Sequence, residues 1–464
     1  MAGLEFHGAA QTVTGSMHLL HLDGGTLTLD CGLFQGKRDW ARGLNSTFPV
    51  PPETLRAVVL SHAHMDHSGN IPGLVRKKFT GPVYATPATR DLAEIMLLDS
   101  AHIQEEDALF WNQKRAGGPA DQIEPLYTVA DAQAAVGQFR SVAYGTPFDV
   151  CDGCRATFFD AGHMLGSAVV LFEIASSPPV RLLFTGDLGR FNVPILRDPT
   201  TPLPAADYLI TESTYADQIH EDAGRMKERL VGLINATVKR GGKVIIPSFS
   251  VGRTQTLTYY LQQAIEAREM PRLPVFVDSP LSTHATDVFR KHPECYDVQA
   301  AGQWRAEGDV FGHGFVTYIS EVAESIRLND RHDPCVIIAS SGMCEAGRIL
   351  HHLKNNVEDS RNTVLIVGYQ AENTLGRRIA EGETSLKIFG RMYQRRCHVE
   401  VLGGFSAHAD AKDFERLLAP LAPRLRAAFV VHGEATGTAA MKALLLKAGC
   451  RNVYVPAPGE KFTL

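Results

Sequence analysis

The sequence predicts an α/β protein with two domains, the second of which is inserted into the first. Its 464 residues are more than a single-domain protein with one hydrophobic core usually contains. The pattern also changes along the chain: short β-like runs fill the first half, strands alternating with helices follow Tyr215, and a strand-like segment returns near Arg396. Because histidine motifs occur on both sides of the alternating region, we expect that region to be the insertion.

The first half predicts a sheet-rich domain with a shared site at its strand ends. Several of the β-like runs end at an Asp or a His close to a Gly, which lets the backbone turn tightly and presents the polar side chain at the sheet edge. Residues 91–139 have helical spacing instead. The predicted strands are Gly25–Asp30, Ala57–Leu60, Pro82–Ala85, Arg155–Phe159, Ala168–Phe172 and Val180–Phe184.

The middle of the chain predicts a parallel sheet covered by helices on both faces. Its helices are expected at Arg225–Val238 and Arg253–Arg268, and its strands at Gly242–Ile246, Leu273–Val277, Cys335–Ala339 and Thr363–Val367. We therefore expect one discontinuous domain at 1–214 and 396–464, and a second domain at 215–395.

The composition is that of an ordinary globular protein, with 44% hydrophobic and 21% charged residues. No segment approaches ~20 uninterrupted apolar residues, and no basic N-terminal region precedes an apolar run. We therefore expect a cytoplasmic protein with no membrane partner. The formal net charge of -5 argues against coating nucleic acid by bulk positive charge, so a polyanion would have to be held locally.

The eight cysteines are scattered along the chain, which favours free thiols over a disulfide framework. Cys151 and Cys154 form a C-x-x-C pair without a second pair at zinc-ribbon spacing, so a turn is favoured over a metal or redox site. A further turn is predicted at 117–120.

The most informative segment is His62–Ser68, which reads H-A-H-M-D-H-S. His62, His64, Asp66 and His67 are four good zinc ligands on what is expected to be a loop after an apolar strand. A histidine-rich surface loop that binds nothing is the alternative. The ligands still missing are supplied by His163, Asp187 and His432, each at the end of an apolar run. The seven side chains suffice for two zinc ions that share one carboxylate.

This ligand pattern resembles the metallo-β-lactamase fold. The resemblance implies that His62, His64, His163 and Asp187 hold one zinc, and that Asp66, His67, Asp187 and His432 hold the other. It places Asp30 at the family's first motif, where an aspartate steadies the ligand shell. The fold alone serves lactamases, thioesterases, oxidoreductases and nucleases, so the function depends on further motifs.

Those motifs resemble the β-CASP nucleases over nearly the whole chain. Residues 211–215 (T-E-S-T-Y) look like motif A, residues 404–410 (G-F-S-A-H-A-D) look like motif B, and His432 matches motif C. The resemblance implies a four-layer αββα sandwich with an inserted α/β domain, and it favours the RNA-cleaving members akin to the endonuclease subunit of the cleavage and polyadenylation specificity factor. Ser248, Ser250 and Asn373 depart from common family residues without touching a metal ligand.

The resemblance implies a ribonuclease with two zinc ions per chain that hydrolyses single-stranded RNA. Cleavage is expected to be endonucleolytic, with 5′–3′ exonucleolytic action as a further mode. A hydroxide between the zinc ions would attack, and His408, oriented and kept protonated by Glu212, would be the general acid. The alternatives are a catalytically silent RNA-processing scaffold and a small-molecule hydrolase such as a thioesterase. A homodimer is a further expectation.

Candidate RNA contacts lie in the predicted inserted domain. Arg253, Arg348 and Arg377 each follow a glycine, which permits close backbone approach while guanidinium grips phosphate. Ser340 and Ser341 could hydrogen-bond the RNA backbone nearby. Alternatively, these arginines pair with acids inside their own domain, Glu345 and Glu372 being close in sequence.

Overall fold

The computed structural model describes residues 2–114, 122–312, 314–368 and 370–464, so the turn predicted at 117–120 lies outside the described residues. The chain forms two compact units. The first comprises Met1–Phe191, Asp198–Ile219 and His408–Leu464, and the second comprises Asn192–Arg197 and His220–Ala407. No sequence pattern indicated that a short segment after Phe191 belongs with the second unit.

The strands are short, and most of them coincide with apolar runs of the sequence. In chain order they are β1 (Gly3–Gly8), β2 (Met17–Leu22), β3 (Gly25–Leu29), β4 (Leu55–Val59), β5 (Val83–Ala85), β6 (Phe139–Ser141), β7 (Phe148–Cys151), β8 (Cys154–Asp160), β9 (Ala168–Ile174), β10 (Val180–Phe184), β11 (Tyr208–Thr211), β12 (Val244–Pro247), β13 (Val275–Asp278), β14 (Val316–Ile319), β15 (Val336–Ala339), β16 (Thr363–Ile366), β17 (Ser385–Ile388), β18 (Arg391–Gln394), β19 (His398–Val401), β20 (Ala427–Val430), β21 (Val453–Tyr454) and β22 (Lys461–Thr463).

The helices range from a single turn to a long rod. In chain order they are α1 (Arg38–Asn45), α2 (Met65–Ser68), α3 (Ile71–Arg76), α4 (Pro87–Lys114), α5 (Val129–Gly137), α6 (Ala223–Lys239), α7 (Arg253–Glu266), α8 (Pro280–Lys291), α9 (Val298–Glu307), α10 (Val322–Arg327), α11 (Ile349–Asn356), α12 (Leu375–Ala380), α13 (Ala411–Leu418) and α14 (Ala435–Lys447).

The first unit is the predicted four-layer αββα sandwich. Among its described residues, one seven-stranded sheet has the order β22-β1-β2-β3-β4-β5-β6 and the other has the order β21-β20-β11-β10-β9-β8-β7. Apolar residues of both sheets, such as Phe6 and Leu29 from one and Phe172 and Phe184 from the other, share one buried core. Helices α13 and α14 cover the second sheet through Phe414 and other apolar residues. Helix α5 packs against both α3 and α4, and α4 also contacts β6 of the first sheet.

The second unit is built on a parallel sheet, as the strand and helix pattern predicts. Its described strands have the order β14-β13-β15-β12-β16-β19, and all the pairs are parallel. Strands β17 and β18 form a separate antiparallel hairpin. Strand β19 pairs with β16 in this sheet, although residues from 396 onward were expected in the first domain. A short apolar run does not reveal which sheet it joins; the boundaries at 214/215 and 395/396 stay a prediction.

Two further expectations concern the cysteines and the membrane. Cys151 and Cys154 lie opposite each other across the tight β7–β8 turn, and none of the eight cysteines, all within the described residues, forms a disulfide. Within the described ranges, no helix combines the length and apolar character needed to cross a bilayer.

Candidate metal centre and active site

The seven predicted ligands converge at one edge of the first unit because each follows a strand. His62 and His64 lie between β4 and α2, whereas Asp66 and His67 lie within α2 itself. The other three ligands follow β8, β10 and β20, and they are His163, Asp187 and His432. The polar loops thus place the ligands where the buried strands end, as expected for a site mounted on a rigid scaffold.

One group of ligand atoms comes from His62, His64, His163 and Asp187. Nδ1 of His64 lies 3.1 Å from Nε2 of His62 and 3.2 Å from Nε2 of His163. Oδ2 of Asp187 lies 3.5 Å from Nε2 of His62 and 3.6 Å from Nε2 of His163. A tetrahedral ion with bonds of 2.0–2.1 Å separates its ligand atoms by about 3.3 Å. The four atoms therefore fit a tetrahedral divalent metal ion.

A second group comes from Asp66, His67 and His432. Oδ2 of Asp66 lies 3.3 Å from Nε2 of His432 and 3.8 Å from Nε2 of His67. Oδ1 of Asp187 lies 3.4 Å from Nε2 of His67, so the two oxygens of Asp187 face the two groups. Both Nε2 of His67 and Oδ1 of Asp187 are buried without a hydrogen-bond partner among the described residues. A metal ion would satisfy both atoms.

Asp30 lies behind this centre and orients two of its imidazoles. Its carboxylate is fully buried and accepts hydrogen bonds from the Ser61 backbone N–H (2.7 Å) and hydroxyl (2.9 Å). It also accepts from Nδ1 of His67 at 2.7 Å. Because the Ser61 hydroxyl donates to Asp30, it accepts from Nδ1–H of His62 at 3.0 Å. Both imidazoles thereby use Nδ1 for these hydrogen bonds, which leaves Nε2 as the nitrogen that a metal would bind.

Thr214 does the same for His432. The Thr214 hydroxyl donates to the His432 carbonyl oxygen at 3.2 Å, so it accepts from Nδ1–H of that ring at 3.1 Å. Because Nδ1 is held by Thr214, Nε2 of His432, which faces Asp66, is the nitrogen that a metal would bind. Sequence reasoning missed both hydroxyls. Adjacency was the available signal, since Ser61 precedes the H-x-H run and Thr214 lies within motif A.

The electrostatics of the centre also suit a cation. Burial lowers the pKa of His64 to about 4 and holds the pKa values of His62 and His163 well below the usual range, so these imidazoles are neutral donors. Burial alone would raise the pKa of Asp187, but the facing imidazoles, His432 foremost, hold it well below its usual range. Burial would also lower the pKa of His67, yet the facing carboxylates raise it well above its usual range. A metal ion could replace that proton.

Glu212 and His408 form a separate acid pair beside Asp187. Nδ1 of His408 lies 3.1 Å and 3.2 Å from the two oxygens of Glu212 and 3.8 Å from Oδ2 of Asp187. The backbone N–H of Leu188 donates to Glu212 at 2.6 Å and fixes the carboxylate. Burial alone would lower the pKa of His408, but Glu212 outweighs it and raises the pKa to about 9. The imidazolium is therefore the form at neutral pH, as a general acid requires.

The ring of Tyr215 packs against this histidine. Its centroid lies 5.9 Å from that of His408, with the two planes at 63°. His18, another histidine near this end of the unit, is fully buried between Phe6 and Phe184. Neither of its ring nitrogens has a hydrogen-bond partner among the described residues.

The candidate RNA contacts all lie in the second unit, where their side chains already interact with other residues of that unit. Arg348 donates to Asp278 at 2.7 Å and to the carbonyl oxygens of Ile319 and Ser320. Arg377 pairs with Glu381 at 2.6 Å. Both arginines thus form intradomain ion pairs, Arg348 with Asp278 and Arg377 with Glu381.

The other candidates have neutral partners. The Arg253 guanidinium donates to the Val367 carbonyl oxygen and lies 5.6 Å from the ring centroid of Phe405. The Ser340 hydroxyl donates to Ser279 at 3.0 Å, and the Ser341 hydroxyl donates to the Ala346 carbonyl oxygen at 3.3 Å. These contacts neither place nor exclude RNA.

Three family models match the chain. The Metallo-beta-lactamase superfamily model matches residues 12–147, the Beta-Casp domain matches 254–379, and the Zn-dependent metallo-hydrolase RNA specificity domain matches 392–456. A crystal structure of a protein of unknown function from Enterococcus faecalis superposes with a TM-score of 0.57 at 13% identity, covering 100% of both chains. That likeness shows the fold.

Curated relatives match most of the chain. Ribonuclease TTHA0252 of Thermus thermophilus is 34% identical over 442 residues, which are 95% of each chain. Transcription termination factor FttA of Pyrococcus abyssi is 31% identical over 82% of this chain and 57% of its own length. The same factor of Methanocaldococcus jannaschii is 30% identical over 93% of this chain and 67% of its own length. The chain therefore belongs to the β-CASP ribonuclease family of the metallo-β-lactamase superfamily and is a metal-dependent hydrolase.

Proposed function

We propose that this chain is a two-zinc ribonuclease that cleaves phosphodiester bonds of single-stranded RNA, endonucleolytically and with 5′–3′ exonucleolytic action as a further mode. The observation that carries the proposal is the Glu212–His408 pair beside Asp187, the carboxylate that both ligand groups share. A charged imidazole beside a metal group is what expulsion of a nucleotide oxygen needs. The name of the Thermus thermophilus relative supports RNA as the substrate.

We assign the two ligand groups to two zinc ions. His62, His64 and His163 would hold one ion and Asp66, His67 and His432 the other, with Asp187 shared. Neutral imidazole nitrogens and carboxylate oxygens are the donors that zinc takes in such sites. When bound, a zinc pair supplies an activated water and neutralises charge on the phosphate.

The chain's own residues supply the rest of the chemistry. His408 would donate its proton to the leaving oxygen, and Glu212 would hold that ring in place and in its charged form. Asp30 and Thr214 would keep the ligand imidazoles in the required tautomers. In-line attack by water leaves a 5′-phosphate and a 3′-hydroxyl and does not use the ribose 2′-hydroxyl as nucleophile.

Substrate contacts are proposed for the second unit. Arg253, Arg377, Ser340 and Ser341 remain our candidates for the RNA backbone. Arg348 is different because three acceptors inside the unit already surround its guanidinium. We expect it to shape the surface that RNA would meet.

The test is cleavage of single-stranded RNA labelled at its 5′ or its 3′ end, with and without a chelator. We expect internal cuts with both labels, loss of activity with the chelator and recovery with zinc. A single 2′-deoxy substitution at a mapped cut should still be cleaved. His408→Ala should be inactive, whereas His102→Ala, on the exposed face of α4, should match the wild type.

The alternatives predict different results. A silent scaffold would bind RNA and would cleave none at any zinc concentration. A thioesterase would release thiol from an acyl thioester and leave RNA intact. Either result would overturn the proposal. Sedimentation of the zinc-loaded chain tests the expected homodimer.

A further inference from the structure

The turn between β17 and β18 holds a phenylalanine in an unfavourable backbone conformation. Phe389 has φ of 49° and Gly390 has φ of 78°, the pattern of a type I′ turn. Asn-Gly or Asp-Gly suits such a turn, whereas a bulky residue at positive φ is an outlier. Burial does not offset this strain, because Phe389 is 55% exposed. A strained backbone that burial does not offset suggests that Phe389 has a role other than stabilising the fold.

Cationic and aromatic side chains surround this ring. Nζ of Lys354 on α11 lies 5.7 Å from the Phe389 ring centroid, and the His351 ring lies 4.7 Å away. On the hairpin, Lys387 pairs across the strands with Met392, which is 58% exposed. The ring therefore lies close to the positive charge of Lys354, while Phe389 as a whole stays 55% exposed.

The charge of the hairpin is opposite to that of the chain. Residues 384–399 contain no Asp or Glu, although the whole chain has a formal net charge of -5. They contain four basic residues: Lys387 and Arg391 on the strands, and Arg395 and Arg396 directly after them. Arg395 is engaged with backbone carbonyl oxygens at the base of the hairpin. Two acidic residues lie at that same base: the Glu383 backbone carbonyl accepts from Arg395, and the Glu358 carboxylate accepts from the Gln394 backbone N–H. The positive charge is thus concentrated at the tip.

We propose that the β17–β18 hairpin is a further binding site for single-stranded RNA, with a base stacked on Phe389 and phosphates held by Lys354, Lys387 and Arg391. An exposed aromatic face with flanking cations is a common binding surface for single-stranded RNA. Such a surface tolerates any base, because every base can stack on the ring. A protein partner would favour a larger apolar patch than Phe389 and Met392 provide. The proposal rests on RNA being the substrate.

The test uses the zinc-loaded full chain with His408→Ala, which holds RNA without turnover. Anisotropy of a 3′-labelled, unstructured RNA measures affinity. Adding Phe389→Asn keeps a residue suited to the turn, so the melting temperature should be unchanged or higher. RNA affinity should fall roughly 10-fold, because stacking is lost. Affinity that stays unchanged overturns the proposal.

Two controls separate stacking from charge and from folding. Phe110 on α4 is 49% exposed and has Lys114 Nζ 4.1 Å from its ring centroid, so Phe110→Ala removes a similar aromatic–lysine pair elsewhere. It should leave the affinity unchanged; an equal loss there would overturn the proposal. Lys387→Gln with Arg391→Gln should lower the slope of log affinity against log salt by about 0.7 per lost phosphate contact. An unchanged slope also counts against the proposal.

The remaining outcomes are distinguishable. If His408→Ala binds no RNA and the wild type cleaves none, the proposed function itself fails. If the wild type cleaves RNA and Phe389→Asn binds RNA normally but no longer self-associates in sedimentation, the hairpin contacts a second copy of the chain, and the RNA proposal is overturned.

Discussion

Nδ1 of His408 lies 3.1 Å from Oε2 of Glu212, and the backbone N–H of Leu188 fixes the same carboxylate from the other side. The pair lies beside Asp187, whose two oxygens face the two ligand groups. This geometry favours the charged imidazole, because burial lowers the pKa of His408 and Glu212, ahead of Asp187 and Asp66, raises it.

Glu212→Gln should therefore shift the pH dependence of RNA cleavage. Burial lowers the pKa of His408 and Glu212 raises it to about 9, so the wild-type acid is protonated below that pH and its activity falls above it. Without the carboxylate, the pKa should fall to its ordinary value or lower. At pH 8 the protonated fraction, and the rate with it, should drop roughly 30-fold and recover towards pH 6. Pre-steady-state rates measure this, with zinc content checked at each pH.

The matched control is Glu173→Gln on the exposed surface of β9, where the carboxylate faces Arg181. Its pH profile should superimpose on that of the wild type. A Glu212→Gln profile that loses amplitude equally at every pH would show that Glu212 acts on something other than the proton of His408.

Replacement of Asp187 should empty both metal sites, because its two oxygens face different ligand groups. Asp187→Ala should retain less than one zinc per chain, whereas Asp66→Ala should lose the second ion and keep the first. Elemental analysis after gel filtration measures the difference. Equal zinc content in the two variants would contradict a shared ligand. Zinc should also raise the melting temperature of the wild type, since a ligand that binds the folded chain stabilises it.

Thr214→Val should weaken zinc binding at the second group alone. The hydroxyl accepts from Nδ1–H of His432, and without it the proton can occupy Nε2, the nitrogen that faces Asp66. Losing such a partner typically costs roughly 10- to 100-fold in metal affinity. Titration against a chelator should show one weakened site of two. Thr214→Ser keeps the hydroxyl and should restore the affinity, whereas a deficit of equal size in both variants would indicate a packing effect.

The sequence predicted those parts of the fold and site that depend on local pattern. The ligand runs at the ends of β4, β8, β10 and β20 were readable because a hydrophobic strand that runs directly into His or Asp is a local signal of a metal site. Ser61 and Thr214 lie next to or within these motifs, but their roles could not be assigned from the sequence, because a hydroxyl that sets a tautomer resembles any other hydroxyl until its partner is placed. The sheet of β19 was not readable either, because pairing is a long-range property.

The three arginines also show that sequence pattern alone does not reveal the environment of a side chain. A glycine followed by arginine suggests a phosphate contact, and Arg348, Arg377 and Arg253 are indistinguishable at that level. Only their surroundings separate a guanidinium enclosed by Asp278 and two carbonyl groups from one paired with Glu381 at the surface.

Arg348→Ala should consequently destabilise the second unit, whereas Arg377→Ala should not. Asp278 is fully buried and would lose its guanidinium partner, a change that costs about 3 kcal/mol. Arg377 and Glu381 are an exposed pair, so the cost there should stay within about 0.5 kcal/mol. Denaturant unfolding followed by Trp304, in a background with Trp40→Phe and Trp111→Phe, reports on the second unit.

The deficit of Arg348→Ala should also depend on pH. Burial raises the pKa of Asp278, but hydrogen bonds from His352, Ser325 and Arg348 outweigh it and hold the pKa below 3.8. A lowered carboxyl pKa contributes stability that is present above the unfolded pKa and is lost as the pH falls through the folded value. The difference between wild type and Arg348→Ala should thus be full at pH 7 and shrink below pH 3.8. If Arg348→Ala instead unfolds like the wild type at pH 7 and binds RNA more weakly, Arg348 is a phosphate contact and its link to Asp278 is incidental.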